Sequence, residues 1–295
     1  MVEFLVNLVN GLSLGSVYAI IALGYTMVYG IAKMLNFAHG DVIMIGAYVA
    51  YVALRSLNLP PIAAMLVSMI VCTLLGITIE KTAYKPLRQA TSLAVLITAI
   101  GVSYFLQNMA QLIWSATPIN YPSDFIPLPA INLLNGQLHI EGSTLVTILA
   151  GAVVMVALTL FIGRTRIGKA MRCVSEDRGA AELMGINVNR TISITFAIGS
   201  ALAAIAGVLL WAKVYKLEPT TGALPGIKAF TAAVLGGIGS IPGAMLGGIL
   251  LGIIEIFGRA YISTALSDAI VFSVLIIVLL VRPTGLLGKP VREKV

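Results

Sequence analysis

Apolar segments long enough to cross a lipid bilayer follow one another along almost the whole chain. They occupy residues 9–31, 42–54, 62–79, 93–114, 145–162, 192–211, 227–257 and 265–281. Most approach the roughly 20 residues that a membrane-spanning helix needs. Hydrophobic residues make up 59% of the chain and charged residues only 11%, beyond what a soluble core requires. The sequence therefore predicts an all-α polytopic membrane protein, a bundle of about eight transmembrane helices.

The rest of the sequence adds no second domain, so residues 1–295 are predicted to form a single transmembrane domain. The net charge of +7 does not indicate nucleic-acid binding, because the basic residues lie between apolar segments rather than along one soluble face. Glu3 replaces the basic start of a signal peptide, and we expect no cleaved signal. Cys72 and Cys173 have no disulfide or metal-ligand spacing, and no metal site is predicted.

The distribution of lysine and arginine orients the chain in the membrane. If the N-terminus is outside, the basic residues on the cytoplasmic side are Lys33, Lys81, Lys85, Arg88, those within 164–190 and those of the tail 282–294. The basic residues left outside are Arg55, Lys213, Lys216, Lys228 and Arg259. The connection 115–142 contains Asp124 and Glu141 but no lysine or arginine, which suits an external loop. The predicted C-terminus is cytoplasmic.

The apolar stretch 227–257 conflicts with this orientation, because a single membrane crossing there would place the basic tail outside. Glycine and proline in its middle can divide a helix, so we predict a re-entrant hairpin or two short spans. The glycines of the predicted break are Gly236, Gly237, Gly239 and Gly243. The glycine spacings 239/243/247 and 248/252 also suit tight helix packing, whereas a broken helix that lines a transport pathway is the alternative.

Nine charged residues lie within 164–190, an island in an otherwise apolar chain. Two short helices are predicted there, at 168–174 and 177–184. The second helix has a small apolar face formed by Ala180, Leu183 and Met184. That face could pack on a partner outside the membrane, and a solvated positive-inside loop is the alternative.

The motifs of catalysis and nucleotide binding are missing. Residues 163–170 nearly match the phosphate-binding loop, but Ala170 stands where a hydroxyl would hold magnesium, and the stretch follows an apolar span. The two histidines, His39 and His139, are far apart and lack clustered carboxylates. The chain is predicted not to be an enzyme and to carry no cofactor of its own.

Several blocks of sequence together resemble the permease of branched-chain amino-acid ABC importers, the LivH type. These blocks are residues 11–19, 22–31, 35–41, 181–187, 228–243 and 282–285. Because they run nearly end to end, the resemblance covers the whole chain as a single permease domain. It implies import of leucine, isoleucine and valine across a bacterial inner membrane, driven by ATP through alternating access. Alternatives are a permease for another small substrate such as urea, a secondary transporter, or a membrane scaffold without transport.

The resemblance also implies partners and a division of labour. The expected partners are a second related permease, two cytoplasmic ATPases that hold ATP and magnesium, and a periplasmic or lipid-anchored binding protein. Residues 163–190 resemble the cytoplasmic coupling segment that contacts the ATPases. Its expected coupling residues are Gly168, Arg172, Glu176, Asp177, Ala180, Leu183, Met184 and Gly185.

Polar and aromatic side chains within the apolar segments are candidates for the translocation pathway. They are Tyr18, Tyr25, Tyr29, Asn36, His39, Asp41, Gln107 and Asn108. The tyrosines share one helical face, the next three residues form a polar turn near the cytoplasmic side, and the amides lie inside a later span. The competing interpretations are tyrosine packing, a solvated loop and bonding between helices. Glu255 and Arg259 are predicted to pair at i, i+4 spacing near the outer surface.

Overall fold

The structure is a computed structural model that describes residues 2–121, 129–133 and 138–288. Its helices are α1 (Val2–Ala32), α2 (His39–Arg55), α3 (Pro61–Ile79), α4 (Ser92–Trp114), α5 (Gly142–Arg164), α6 (Arg166–Glu176), α7 (Arg178–Leu183), α8 (Val188–Val214), α9 (Ala223–Gly236), α10 (Ile241–Tyr261) and α11 (Ser267–Val281). The predicted connection 115–142 with its Asp124, and the basic tail 282–294, lie partly outside the described residues.

The predicted polytopic all-α membrane fold is confirmed. Six of the described helices are long and apolar enough to cross a membrane, namely α1, α3 with its continuation to Leu87, α4, α5, α8 and α10. The helices α9 and α11 are shorter and also apolar. Strands in the described part are limited to two short antiparallel pairs, β1 (Ile119–Asn120) with β4 (Lys216–Leu217) and β2 (Ile131–Leu133) with β3 (Leu138–Ile140).

The centre of the bundle is α1, which runs antiparallel to α10 at very close range. A Cβ atom on Gly15 would lie 2.7 Å from the Cα of Ile249, and one on Gly11 would lie 2.9 Å from the Cα of Ile253. Gly248 on α10 is pressed against the backbone of α1 in the same way. The predicted role of these α10 glycines in tight packing is therefore confirmed, because only a hydrogen side chain fits between the two backbones.

On its other sides α1 packs against α8, and α2 and α3 close the bundle around α8. Gly46 of α2 approaches α8 so closely that a Cβ atom would lie 2.8 Å from the Cα of Ala204. Ser68 of α3 donates a hydrogen bond of 2.6 Å to the carbonyl oxygen of Gly46. This bond satisfies the Ser68 hydroxyl, which would be costly to leave unpaired inside a membrane bundle. Small residues again set how near the helices come.

The predicted break in 227–257 is present between Gly236 and Ile241. Gly237 and Gly239 have positive φ angles of 104° and 94°, which favour glycine, and Ser240 accepts a hydrogen bond from the N–H of Gly243 at the start of α10. The two arms are unequal, with 14 residues in α9 and 21 in α10. Of the two short spans that the sequence predicted, only α9 is short. The helix α10 is long enough to cross the membrane by itself.

The break lies at the end of the bundle where α1 finishes. A Cβ atom on Gly30 would lie 3.4 Å from the Cα of Gly239. The N–H groups of Leu286 and Leu287 donate hydrogen bonds of 2.9 Å each to the carbonyl oxygens of Leu235 and Gly236. We call this end, which carries Lys33, Arg88 and Arg178, the basic end. Since α9 arrives there and α10 leaves from it, the pair supports two passes rather than a re-entrant hairpin.

Candidate functional site

Two short helices cover part of the basic end, as the sequence predicted. Thr165 begins α6 by accepting a hydrogen bond of 3.0 Å from the N–H of Gly168. The buried side of α6 is formed by Gly168, Met171 and Val174. Gly168 leaves no room for a Cβ atom beside the backbone of Ile162, so its role is close packing of α6 onto α5.

The second short helix, α7, presents apolar side chains to the surroundings. Asp177 caps its start by accepting a hydrogen bond of 3.0 Å from the N–H of Ala180. Gly185 and Ile186 close its end through bonds of 2.9 Å and 3.0 Å to the carbonyl oxygens of Glu182 and Ala181. Leu183 and Met184 are 90% and 82% exposed. Such exposure of two large apolar groups on a polar segment is typical of a surface that a partner covers.

The charged side chains of this segment hold it to the spanning helices. Arg178 donates a hydrogen bond to the carbonyl oxygen of Ala32 at the end of α1, and Arg172 donates one of 3.2 Å to that of Gly163. Burial, followed by the nearby charge of Arg88, lowers the pKa of Arg178 from its usual value. Glu176 is exposed. The Arg178 bond thus links α7 directly to the end of α1.

A buried carboxylate beneath these helices joins α3 to α8. Glu80 is fully buried and pairs with Arg88, and it accepts a hydrogen bond of 2.6 Å from Ser193. Arg88 also donates to the side chain of Asn189. Arg88 was predicted only as a cytoplasmic charge, and Glu80 was not identified from the sequence. An acidic residue at the end of a long apolar run was the available signal, since such a group requires a partner.

The predicted polar turn at Asn36, His39 and Asp41 is buried, so its interpretation as a solvated loop is wrong. The chain folds back after α1, and α2 begins beside Gly24, where a Cβ atom would lie 2.6 Å from His39 Nε2. Asn36 accepts a hydrogen bond of 2.9 Å from the hydroxyl of Tyr84. Folding back places the turn among α1, α3 and α9 instead of in water.

The predicted pathway tyrosines lie in different surroundings. Tyr25 packs edge-on against His39 and Phe230, with ring centres 4.7 Å and 5.7 Å apart. Tyr29 lines a cavity of about 370 Å³ at the basic end, together with Lys33, Arg88 and Arg178 among others. This cavity connects one pathway candidate to the segment that carries α7.

The two predicted amide side chains of α4 also lie in different surroundings. Gln107 donates a hydrogen bond of 2.9 Å to Asp41 Oδ1 on α2 and another of 3.3 Å to Ser103. This contact is the bonding between helices that the sequence analysis weighed as an alternative. Asn108 instead points outward, is exposed, and donates a hydrogen bond of 2.7 Å to the carbonyl oxygen of Tyr104.

Five polar groups form a charge cluster between α1, α9, α10 and α11, in which Glu255 and Lys228 are buried and Arg259 and Asp268 are partly exposed. The fully buried Glu255 accepts hydrogen bonds from Tyr18 at 2.8 Å, from Lys228 at 2.7 Å and from Arg259. Lys228 also pairs with Asp268 at 2.6 Å. The predicted Glu255–Arg259 pair is confirmed. Lys228, predicted among the outside charges, is buried by α9 against α10 and α11 rather than exposed to water.

Comparison with known proteins gives consistent similarities over nearly the whole chain. A family model described as the branched-chain amino acid transport system permease component matches residues 7–279. The high-affinity branched-chain amino acid transport system permease protein BraD of Pseudomonas aeruginosa is 49% identical, over 99% of this chain and 98% of the relative. The corresponding protein LivH of Escherichia coli K12 is 46% identical, with the same coverage.

A solved structure supports the fold independently of sequence. PsaBC from Streptococcus pneumoniae in complex with Fab superposes with a TM-score of 0.50, covering 93% of this chain and 91% of that chain. The sequence identity is 15%, so this likeness concerns the arrangement of helices alone.

Proposed function

The chain belongs to the family of branched-chain amino acid transport permease components, and from this membership we propose that it is the membrane subunit of an ATP-driven importer of leucine, isoleucine and valine. The observation that carries the proposal is the similarity to high-affinity permeases over 99% of the chain. The proposed location is a bacterial inner membrane. The basic end faces the cytoplasm, because lysine and arginine concentrate on that side of membrane proteins. The N-terminus is then outside.

In the proposed assembly, energy comes from partner ATPases that bind ATP and magnesium at the basic end. The exposed Leu183 and Met184 of α7 are the side chains that dock on them, and Arg178 transmits the movement to the end of α1. Arg172 and Asp177 hold the two short helices in shape, as their bonds to Gly163 and Ala180 indicate. A binding protein delivers the amino acid at the opposite end.

The pathway is proposed to lie between this chain and a second related permease. The interior of the single chain supports this location, because the rings of Tyr25, His39 and Phe230 pack against one another there. Alternating access then moves two permeases relative to each other rather than opening a channel through one. Selection of the substrate belongs to the binding protein, since tight binding inside the permease would slow release.

A secondary transporter is the main rival, and the charge cluster argues against it. Such a transporter needs ionisable groups that can exchange a coupling ion within the membrane. Here the cations Lys228 and Arg259 are offset by the anions Glu255 and Asp268, and the ion pairs link all four. The cluster is therefore suited to holding helices together.

The proposal is tested by uptake of labelled leucine at low concentration in cells that lack only this chain. Restoring the chain is expected to restore uptake when ATP is present and not when ATP is depleted. Unlabelled isoleucine and valine are expected to compete with leucine for uptake. Urea is the control compound and is expected not to compete. Uptake that persists after ATP depletion would contradict the proposal in favour of a secondary transporter.

A further inference from the structure

The cavity beside Tyr29 at the basic end is lined by three positively charged side chains. Its volume of about 370 Å³ lies within the range of small-molecule sites. The cations are Lys33 at the end of α1, Arg88 in the turn before α4, and Arg178 on α7. No aspartate or glutamate is among the described residues that line the cavity. The cavity therefore has the electrostatic character of a site for an anion.

The chain supplies too little negative charge to balance these cations. Arg88 pairs with the buried Glu80. Within the described part of the chain, Arg178 bonds to the carbonyl oxygen of Ala32 and to no carboxylate, and Lys33 has no ion pair. Three cations and one carboxylate leave an excess of two positive charges around the cavity. Burial and then the nearby charge of Arg88 lower the pKa of Arg178, which shows that the two guanidinium groups repel each other.

The same cavity is surrounded by donors and strained backbone. The Nε atom of Arg88 is buried and has no hydrogen-bond acceptor among the described residues, which is rare in folded proteins. Lys33 follows α1 with a φ of 53°, a left-handed conformation that favours glycine. Ser92 lines the cavity at the start of α4, so the partial positive charge of a helix N-terminus adds to that of the side chains. An anion in the cavity would thus be attracted from α1, α4, α7 and the turn before α4.

The remaining wall of the cavity is apolar and leads toward the hydrocarbon. Met34 and Val95 line the cavity beside the cations. Ser92 is exposed, so the cavity reaches the surface of the bundle where α4 begins. From there the exposed side of α4 continues with the aliphatic side chains of Leu93 and Ile97. A ligand that joins an anionic group to an apolar chain matches this sequence of surfaces.

The position of the cavity along the bundle matches the headgroup layer of a membrane. The spanning helix α1 ends at Ala32 and the spanning helix α4 begins at Ser92, so the cavity lies where both helices leave the hydrocarbon. Basic pockets between the ends of membrane helices attract the phosphate groups of anionic lipids. A soluble anion would use the cations alone, whereas a lipid would use the apolar wall as well.

We propose that this cavity binds the headgroup of an anionic phospholipid, whose acyl chain lies along the exposed side of α4. The phosphate lies among Lys33, Arg88 and Arg178 and offsets their excess charge. Leu183 and Met184 are not among the described residues that line the cavity, so a lipid there leaves the exposed tip of α7 free. The proposal requires only that the chain lies in a membrane and does not depend on the import of leucine.

Native mass spectrometry of the full chain, purified in detergent and stripped of lipid, tests the proposal. Phosphatidylglycerol is the anionic probe, and phosphatidylcholine with the same acyl chains is the zwitterionic control. The chain is expected to bind a first phosphatidylglycerol at least about 5-fold more tightly than phosphatidylcholine, the effect of one basic side chain on an anionic lipid. Equal affinity for the two lipids would overturn the proposal.

Two lysine substitutions separate the cavity from the general positive charge of this end. Lys33→Gln removes a cation of the cavity and is expected to weaken phosphatidylglycerol binding about 5-fold, with phosphatidylcholine binding unchanged. Lys169→Gln removes the same charge from an exposed position on α6 outside the cavity and should leave both affinities unchanged. Equal losses from the two variants would show attraction to the whole surface and contradict the proposal.

A substitution that fills the cavity tests its shape without changing its charge. Ala90 lines the cavity and is exposed, so Ala90→Phe places a ring in the space assigned to the headgroup. Phosphatidylglycerol binding is expected to weaken at least as much as in Lys33→Gln. Gln89→Phe adds the same ring at the neighbouring exposed position, which is not part of the lining, and should bind as the parent does. Unchanged binding by Ala90→Phe would refute the location.

Competition with glycerol 3-phosphate distinguishes a lipid from a soluble phosphate compound. This competitor carries the charged group without acyl chains, so it is expected to displace phosphatidylglycerol only when present in large excess. Displacement at concentrations comparable to that of the lipid would identify a site for a soluble phosphate compound and overturn the assignment to a lipid.

Thermal stability supplies a measurement that does not depend on mass spectrometry. Phosphatidylglycerol is expected to raise the thermal midpoint of the parent chain above the value in phosphatidylcholine, because a ligand of the folded state stabilises that state. The rise is expected to be smaller for Lys33→Gln and undiminished for Lys169→Gln. An equal rise in Lys33→Gln and the parent would contradict the proposal.

Discussion

At the residue scale, buried charges are the feature that most needs a partner. Glu255 is enclosed between α1, α9, α10 and α11 and is shared by Lys228, Arg259 and Tyr18. Because α9 has only 14 residues, it depends on contacts such as Lys228 with Asp268 to hold its place in the bundle. The cluster therefore fastens a short helix to two neighbours.

Glu255→Ala is expected to destabilise the folded chain strongly. It removes the central anion and leaves Lys228 and Arg259 with only Asp268 as counter-charge. Breaking a buried ion pair on one side costs about 3–5 kcal/mol. The thermal midpoint of the detergent-purified assembly, followed by size-exclusion chromatography after heating, measures the loss.

The double variant Lys228→Ala with Glu255→Ala is the control for charge. It removes one cation and one anion, so Arg259 and Asp268 remain with balanced charge. We expect its thermal midpoint to lie between those of Glu255→Ala and the parent. A double variant less stable than Glu255→Ala would show that lost packing, rather than unpaired charge, controls stability here.

At the element scale, α6 and α7 are the helices to which we assign the proposed contact with the ATPases. Both begin with side-chain caps and hold their shape through local bonds. Meanwhile α7 keeps Ala181 buried and leaves Leu183 and Met184 exposed. In the proposed assembly, the bond from Arg178 to the end of α1 is the contact through which a push on α7 would reach the central helix.

Replacing Leu183 and Met184 with aspartate is expected to abolish co-purification with the ATPase while leaving the chain inserted. Charged groups cannot be buried in an apolar docking surface without a large desolvation cost. Pull-down from solubilised membranes measures the association. Ile262→Asp, an exposed apolar position beyond the end of α10 at the opposite end, should retain the ATPase. Retention by the Leu183 and Met184 variant would refute the docking role.

Local signals explain which elements were predictable from sequence. The break at Gly236 to Ile241 depends on nearby glycine and proline, so the sequence predicted it. The caps of α6 and α7, Thr165 and Asp177, are equally local signals but were not identified from the sequence. The burial of Asn36 and the pairing of Lys228 with Asp268 depend on helices distant in the chain. Their positions become clear only when α2 folds back and α9 packs between α10 and α11.

At the scale of the whole molecule, the two ends of the bundle differ in what they can bind. The basic end carries α6, α7, the cavity beside Tyr29 and the C-terminal segment that bonds to the break between α9 and α10. The opposite end carries the short pairing of β1 with β4. Between them, glycine contacts lock α1 against α10. A compact bundle of this kind moves most readily against a neighbour, which agrees with a pathway between two permeases.

The most direct test of the importer function is reconstitution of the complete assembly into lipid vesicles. ATP and magnesium are placed on the side of the ATPases, and binding protein with labelled leucine on the other. The account predicts leucine accumulation above the external concentration that requires ATP and disappears when this chain is omitted. Accumulation without ATP, or ATP-dependent accumulation without this chain, would contradict it.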